Sequence, residues 1–183
     1  MSTLIRLGQL SIIIIGIAWI SFLVYELIQG RNRAPFIPSS RKAIRVILDN
    51  IPLPTHGIIV DLGAGDGKFL RAVKRHAPKL TSLGYEISPL ALLLAKIKNI
   101  LSRTPMNVLK QDMFSANLSE ASLVFCFLLP HDLKRLEHKL QTELKPGTRV
   151  VSNTFSFPTW HPELELPPNK TGLHGFIRVY VVN

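Results

Sequence analysis

The sequence predicts one α/β domain with a mostly parallel sheet, preceded by a single apolar helix. Segments typical of strands and of helices alternate from residue 57 to residue 155, a pattern that favours parallel strands joined by crossover helices. A glycine-rich turn follows the first strand, and residues 7–25 contain no charged side chain. A chain of 183 residues has room for one domain of about 140 residues and one further segment.

The apolar segment at residues 7–25 is long enough to span a membrane. Nineteen helical residues rise roughly 28 Å, close to the thickness of the hydrocarbon core of a bilayer. A cleaved signal peptide has a shorter apolar stretch and a cleavage site of small residues, whereas here Tyr25 and Glu26 come directly after the apolar run. We therefore predict an uncleaved transmembrane anchor over residues 1–28, which attaches the chain to a lipid bilayer.

The positive charges around this anchor predict its orientation. Arg6 is the only basic residue before the apolar segment, while five basic residues lie after it at positions 31, 33, 41, 42 and 45. Because Lys and Arg are retained on the cytoplasmic side, the domain is predicted to be cytoplasmic. A single cysteine, Cys126, excludes an intramolecular disulfide and fits a reducing compartment.

The formal charge of +10, from 22 basic and 12 acidic residues, raises the question of nucleic-acid binding. Much of the excess lies just after the anchor, where each cation would gain about 1 kcal/mol from anionic headgroups. The sequence contains no aromatic RNA-binding motif, zinc pattern or long basic helix. Membrane contact is therefore favoured over nucleic-acid binding.

Each element of the domain has a local signal. Residues 29–38 are predicted to be a linker because Gly30, Pro35 and Pro38 interrupt it, and residues 39–183 form the domain. Ser39 or Ser40 is predicted to cap a first helix, whose apolar residues recur at helical spacing up to Ile51. Strands are predicted at 57–62, 80–86, 106–110, 123–128, 149–155 and 175–182, a short extended piece at 163–166, and helices at 67–76, 89–101 and 131–144.

The glycine-rich turn carries the first functional signal. Glycines at 63, 65 and 67 let the backbone turn tightly and approach a ligand closely. The spacing differs from the dinucleotide fingerprint and from the Walker A loop. Asp61 and Asp66 would lie beside two negative charges of a pyrophosphate, whereas S-adenosylmethionine has an ammonium, a sulfonium and one carboxylate. We therefore predict an adenosylmethionine site.

Two further acids come after the next strands. Glu86 ends the second strand, 25 residues beyond Asp61, where a carboxylate can accept hydrogen bonds from both ribose hydroxyls. Asp112 comes after the third strand, with Met113 beside it. An acid here can accept from the adenine amino group while an apolar neighbour covers the ring; the alternative is that Asp112 only caps a helix.

Residues 60–67 and 84–89, which read VDLGAGDG and GYEISP, resemble the class I methyltransferases that use S-adenosylmethionine. The similarity extends over residues 40–166 and is greatest to the small membrane-anchored protein-lysine methyltransferases of the adenine nucleotide translocase and the ATP synthase c-subunit, with their prokaryotic relatives. Residues 127–131 and 155–160 resemble more particular segments of that family. The resemblance implies a Rossmann-like class I methyltransferase sheet with an antiparallel last strand.

The resemblance also implies a cofactor site, and a lysine side chain of a membrane protein as the methyl acceptor. The compactness of the chain favours a prokaryotic plasma membrane over a mitochondrial inner membrane. The predicted cofactor-binding residues are Asp61, Gly63, Ala64, Gly65, Gly67, Glu86, Ile87, Asp112 and Met113.

The acceptor is predicted to lie beyond the fourth strand, because ligands bind at the carboxyl edge of such sheets. The carbonyls of Leu129 and Pro130, or the side chain of His131, are predicted to contact the acceptor nitrogen; alternatively, His131 merely begins a helix. Phe155, Phe157 and Trp160 are predicted to line the acceptor channel, with ordinary core packing as the alternative.

Two other functions remain open from the sequence. The enzyme could methylate a lipid or quinone headgroup, or the domain could bind adenosylmethionine without catalysis as a membrane-tethered module. The six histidines show no metal-ligand spacing, so no metal is predicted.

Overall fold

A computed structural model describes residues 2–30, 38–102, 104, 106–168 and 175–183. The chain divides into two compact units, Met1–Pro35 and Phe36–Asn183. This division separates the predicted anchor from the predicted domain. The predicted linker falls mostly on residues 31–37, which lie outside the described part of the chain.

The first unit contains one helix, α1, from Ser2 to Gly30. The large apolar side chains in its middle are exposed: Ile12 is 71% exposed, Trp19 61% and Ile20 63%. Of the residues that the structure describes, no helix combines the length and the apolarity needed to cross a membrane. The transmembrane span predicted for this segment is therefore not confirmed.

The second unit is built on a seven-stranded sheet with the order β3-β2-β1-β4-β5-β7-β6. Its strands are β1 Ile58–Leu62, β2 Thr81–Glu86, β3 Asn107–Lys110, β4 Ala121–Cys126, β5 Arg149–Thr154, β6 Leu164–Leu166 and β7 Phe176–Val181. Strands β1 to β5 pair in parallel, and β7 pairs antiparallel with both β5 and β6. The predicted sheet, mostly parallel with an antiparallel last strand, is confirmed.

Four helices cover the sheet: α2 Arg41–Asn50, α3 Lys68–His76, α4 Pro89–Ser102 and α5 Pro130–Glu143. Crossovers between parallel strands are right-handed. Because the chain steps from β1 to β3 in one direction and from β4 to β5 in the other, α3 and α4 share one face and α5 lies on the opposite face.

Two apolar cores result from this arrangement. Alternate residues of a strand point to opposite faces, and Ile59 accordingly joins one core while its neighbour Val60 joins the other. The core on the Ile59 side includes α2 and α3 residues, and the core on the Val60 side includes the apolar stripe of α5. The Ser40 side chain caps α2 by accepting a hydrogen bond from the Ala43 amide at 3.0 Å, as the sequence predicts.

The carboxyl ends of β1 and β4 lie side by side at the centre of the sheet. The strand order reverses here, since β1 leads to β2 on one side whereas β4 leads to β5 on the other. Such a switch point opens a crevice in which α/β proteins bind ligands. The predicted functional segments after β1, β2 and β4 all begin at this edge.

Candidate active site

The loop after β1 is fixed to the end of β2 by backbone hydrogen bonds. The amides of Gly63 and Ala64 both donate to the Tyr85 carbonyl at 3.0 Å. Gly65 and Gly67 have φ angles of 57° and 73°, in the left-handed region that favours glycine. A Cβ atom on Gly67 would also lie 2.4 Å from the Met106 sulfur. The predicted loop is thus held tightly against β2.

Glu86 joins this loop to the next one. Its Oε2 accepts a hydrogen bond from the Gly65 amide, and its Oε1 accepts from the amides of Ile87 and Ser88, each at 2.8 Å. A carboxylate has about four acceptor positions, so three are occupied. One ribose hydroxyl can bind directly, whereas the predicted pair of hydroxyls requires one of these three amides to be released from Glu86.

Asp61 is a buried carboxylate without a partner of opposite charge among the described residues. It is 3% exposed, and no described residue donates a hydrogen bond to its side chain. Burial, and then the nearby charges of Glu86 and Asp66, raise the pKa of Asp61 well above its ordinary value. A buried acid of this kind gains most from a cationic ligand. The ammonium of adenosylmethionine fits this requirement.

Asp66, by contrast, already has basic partners. Lys98 of α4 donates to one carboxylate oxygen, and Arg71 of α3 lies 3.6 Å from the other. The Lys68 amide also donates to Asp66, at 3.0 Å. This acid therefore connects α3 to α4. The sequence predicts Asp66 only as a neighbour of the ligand, because nothing in the local pattern identifies Lys98 as its partner.

Asp112 is exposed and organises the turn after β3. Its Oδ1 accepts a hydrogen bond from the Phe114 amide at 2.9 Å, so a capping role is realised, although in a turn and not in a helix. Met113 is partly buried against the core. Contact with an adenine ring stays a prediction for both residues.

The residues after β4 occupy the start of α5. Leu129 is the N-cap and Pro130 the first helical residue. The Leu129 carbonyl accepts hydrogen bonds from the amides of Asp132 and Leu133, at 3.0 and 3.1 Å. This carbonyl therefore already serves the first turn of α5, and its contact with the acceptor stays a prediction, as does that of the Pro130 carbonyl.

Pro130 and His131 are both exposed, and His131 alone of the set has an ionisable side chain. Its side chain is 57% exposed, and its Nε2 atom lies 3.1 Å from Asp132 Oδ1. The residue lies in the first turn of α5, so the alternative of a helix start is realised as well. A contact with the acceptor nitrogen stays a prediction.

The aromatic segment after β5 is partly core and partly accessible. Phe157 is 3% exposed, and its ring lies 4.9 Å from that of Tyr180 and 5.5 Å from that of Trp160. The structure places Phe157 in the core, as the packing alternative describes. Phe155 and Trp160 are half-buried against the same core and remain candidates for the acceptor channel.

Two residues that hold this segment are not among those predicted from the sequence. Glu137 of α5 is buried, and its Oε1 accepts from both the amide and the hydroxyl of Thr159, at 2.9 and 2.8 Å. A signal was present, because Glu137 lies four residues beyond Leu133 and so falls on the apolar face of the helix. Thr154, at the end of β5, has a φ of 76°, and no local pattern predicts this turn.

A family model described as the ANTKMT methyltransferase domain matches residues 61–164, more than half of the chain. The chain belongs to the ANTKMT methyltransferase family. The matched region begins at Asp61 and ends within β6, so it contains the glycine-rich loop, Glu86 and the segments after β4 and β5. The family resemblance carried by the sequence motifs is confirmed.

Relatives of this ANTKMT-family chain are described as lysine methyltransferases. A protein-lysine N-methyltransferase from Saccharolobus islandicus (strain REY15A) is 30% identical, over 81% of this chain and 93% of its own length. The mouse adenine nucleotide translocase lysine N-methyltransferase is 33% identical over 72% of this chain. The alignment spans only 58% of the mouse protein.

A solved structure supports the cofactor. An RNA methyltransferase from Salinibacter ruber, in complex with S-adenosyl-L-homocysteine, is 27% identical with a TM-score of 0.70. The match covers 80% of this chain and 94% of that one. The ANTKMT-family chain is an S-adenosylmethionine-dependent methyltransferase, as predicted. The roles of its individual site residues remain predictions.

Proposed function

We propose that the protein transfers a methyl group from S-adenosylmethionine to a lysine side chain of a membrane protein. Protein-lysine N-methylation is the activity named for its relatives from Saccharolobus and mouse. The observation that carries the proposal is the buried acid Asp61, without a basic partner in the described part of the chain, at the switch point of the sheet. A cation-binding acid there, with Glu86 on the next strand, suits one adenosylmethionine molecule.

The cofactor supplies the methyl group on a sulfonium, which is already a good leaving group. Asp61 would hold the ammonium of the cofactor, and Glu86 would hold its ribose. Backbone amides hold the Glu86 carboxylate, and Asp61 is buried at the end of β1, so the two acids would define the orientation of the bound cofactor. Alignment of donor and acceptor can contribute several kcal/mol to such a transfer.

The acceptor must lose a proton before it can attack. With a reference pKa near 10.4, deprotonation of a lysine at pH 7 costs about 4–5 kcal/mol, and an apolar environment reduces this cost by disfavouring the ammonium. We place the half-buried Phe155 and Trp160 along the path of the lysine side chain. We assign His131, which is exposed at the start of α5, to receive the proton.

We further propose that α1 holds the enzyme in a membrane, with the catalytic unit in the cytoplasm. Four consecutive isoleucines, Ile12–Ile15, are each more than half exposed. Because successive helical residues point in different directions, apolar side chains surround the helix, and such a helix is suited to a hydrophobic environment. Basic residues at 31 and 33 favour the cytoplasmic side for the unit that comes after the helix.

The acceptor class can be tested in membranes from a strain that lacks the protein. The full chain is added with labelled adenosylmethionine, and the products are separated into protein, lipid and nucleic-acid fractions. Methyl-lysine in a protease-sensitive band supports the proposal. Label in the lipid extract favours a lipid or quinone methyltransferase, and nuclease-sensitive label favours an RNA substrate.

A control variant and a separate extraction experiment complete this test. The Glu86→Ala variant, in which the cofactor is expected to bind tenfold to a hundredfold more weakly, should give less label at a low adenosylmethionine concentration, which shows that the label depends on this site. If the wild-type chain binds adenosylmethionine but labels no fraction, the domain is a binding module and the proposal is wrong. Alkaline carbonate extraction tests the anchor, since release of the full chain into the supernatant would exclude an inserted helix.

A further inference from the structure

Helix α4 has an apolar stripe that is largely exposed in the described part of the chain. It consists of Leu93, Ile97, Ile100 and Leu101, which are 55%, 44%, 72% and 75% exposed. Their spacing places them on one side of the helix. The buried residues Ala91 and Ala95 lie on the other side, which faces the sheet. The α4 stripe therefore points outward.

A basic groove lies on the same face of the sheet and reaches α4 at Lys98. It has a volume of about 710 Å³ and is lined by residues of α2, α3 and α4. Its cationic side chains are Arg41, Arg45, Lys68, Arg71, Arg75 and Lys98, and its acids are Asp49 and Asp66. Six cations against two acids leave a strong positive excess.

The excess is not neutralised within the described residues. Asp66 is already paired with Arg71 and Lys98, whereas Arg45 and Arg75 are exposed and make no ion pair with any described residue. Burial and the neighbouring cations lower the pKa of Lys68, which is the expected effect of desolvation and crowded positive charge. An anionic partner would relieve this repulsion.

Few residues separate the groove from α1 along the chain. Pro38 lines the groove, and residues 31–37 alone separate it from the end of α1 at Gly30. Eight extended peptide steps span at most about 28 Å. If α1 lies in a bilayer, this length of chain sets an upper limit on the distance between Pro38 and the end of the inserted helix.

We propose that the α4 stripe and the basic groove form a second membrane contact, in which the stripe enters the headgroup region and the groove binds the phosphates of anionic lipids. An apolar stripe flanked by Arg and Lys has the composition of interfacial membrane-binding helices. The proposal deepens the proposed function and rests on its membrane attachment. Such a contact would limit the orientations of the catalytic unit at the lipid surface.

The contact can be measured with a fluorophore on the full chain. The Ile100→Cys variant is labelled on its new thiol with an NBD group, whose emission rises and shifts to the blue in a bilayer. Labelling is selective because the one native cysteine, Cys126, is fully buried and burial raises the pKa of its thiol to about 12. The labelled protein is reconstituted into vesicles of phosphatidylcholine alone or with phosphatidylglycerol.

We expect a blue shift in vesicles that contain phosphatidylglycerol, and its loss at high salt. The pair Arg45→Gln and Arg75→Gln should reduce the docked-to-undocked ratio on the order of thirtyfold, since each cation contributes about 1 kcal/mol near an anionic surface. The control pair Lys134→Gln and Lys145→Gln removes two exposed charges outside the groove and should have no effect. An equal effect of both pairs would overturn the role of the groove.

The outcomes separate this contact from the anchor and from other partners. Vesicles that carry the protein but give no lipid-dependent shift would overturn the proposal while leaving the anchor intact. A protein that is extracted from neutral vesicles yet shifts on anionic ones would overturn the anchor alone. If the NBD emission shifts without vesicles and the shift grows with protein concentration, the proposal is wrong and a second copy of the chain covers the stripe. If an RNA oligonucleotide induces the shift, the proposal is wrong and the surface binds a nucleic acid.

Discussion

Glu86 connects two loops through one carboxylate, and this determines what its removal does. The Gly65 amide and two amides of its own turn all donate to it. In Glu86→Ala, the ribose loses a charged acceptor worth about 1.5–3 kcal/mol, and we expect adenosylmethionine to bind tenfold to a hundredfold more weakly. Calorimetric titration measures this directly. Glu86→Gln keeps one acceptor oxygen and should lose less; equal affinity of wild type and alanine variant would mean that the ribose lies elsewhere.

The buried carboxylate of Asp61 should lower the stability of the cofactor-free protein when it is ionised. Its pKa is raised by burial, so between the unfolded value near 3.9 and the raised native value the folded chain binds more protons than the unfolded chain. Stability from this group therefore falls as the pH rises through that window. In Asp61→Asn, the penalty of ionisation disappears, and we expect a higher melting temperature at pH 8 without cofactor.

The same substitution should weaken cofactor binding, because the ammonium loses its counter-charge. For the wild type, affinity for adenosylmethionine should fall as the pH drops through the raised pKa of Asp61, since only the ionised acid attracts a cation. The Asn variant should lack this pH dependence. A lower melting temperature of the variant at pH 8, or an unaltered affinity, would show that Asp61 has another partner.

At the residue scale, prediction from the sequence succeeds where a side chain acts within its own loop. The glycines at 63, 65 and 67, and the acids at 61 and 86, are identified by local pattern and lie at one edge of the sheet. Prediction fails where the partner is distant in sequence. The pairing of Asp66 with Lys98, 32 residues further along the chain, depends on how α3 and α4 pack, which no short motif predicts.

Between elements, Glu137 holds the aromatic segment onto α5. Replacement by Ala removes two hydrogen bonds to Thr159 and should cost about 1–3 kcal/mol of stability. Because Trp160 is the next residue, we expect the KM for the acceptor to rise severalfold while the Kd for adenosylmethionine is unchanged. Steady-state kinetics and titration distinguish these effects. Glu137→Gln, which retains an acceptor oxygen, should restore most of the loss, and a change in cofactor affinity instead would place the segment at the cofactor.

A substitution at Gly67 tests whether the turn that begins α3 requires glycine. Its φ is 73°, and a Cβ atom at this position would lie 2.4 Å from the Met106 sulfur, so both observations oppose any side chain. Gly67→Ala should therefore destabilise the fold by about 1–2 kcal/mol and weaken cofactor binding through the displaced loop. Thermal unfolding checks the first effect. The matched control is Gly147→Ala, which has a similar φ of 84° but open space around it, and which should leave cofactor affinity unchanged.

The elements themselves were largely predictable because their signals are local. Caps, prolines and apolar spacing predicted each described helix of the second unit, and the strand limits agree within about two residues. The predicted fourth strand, 123–128, lies two residues beyond β4, because the chain leaves the sheet at Phe127 to reach the N-cap of α5. The antiparallel pairing of β7 has no local signal and came from the family resemblance.

For the whole molecule, the two-unit organisation predicts separable functions. Both apolar cores lie within Phe36–Asn183, so a chain without residues 1–30 should fold and bind adenosylmethionine with unchanged affinity. Loss of the anchor lowers the effective concentration of a membrane-embedded acceptor. We expect methylation of that acceptor to fall at least tenfold, while a soluble peptide with the same lysine is methylated at an unchanged rate. Equal losses on both substrates would assign α1 a role in catalysis.

The chain contains two tryptophans, and the fold gives one to each unit. Trp19 is exposed on α1, whereas Trp160 lies 5.2 Å from the Tyr180 ring beside the candidate acceptor path. Brominated lipid chains would quench the first, and a bound acceptor would alter the emission of the second. The unlabelled enzyme can thus report its insertion into lipid and the occupancy of its active site in one emission spectrum.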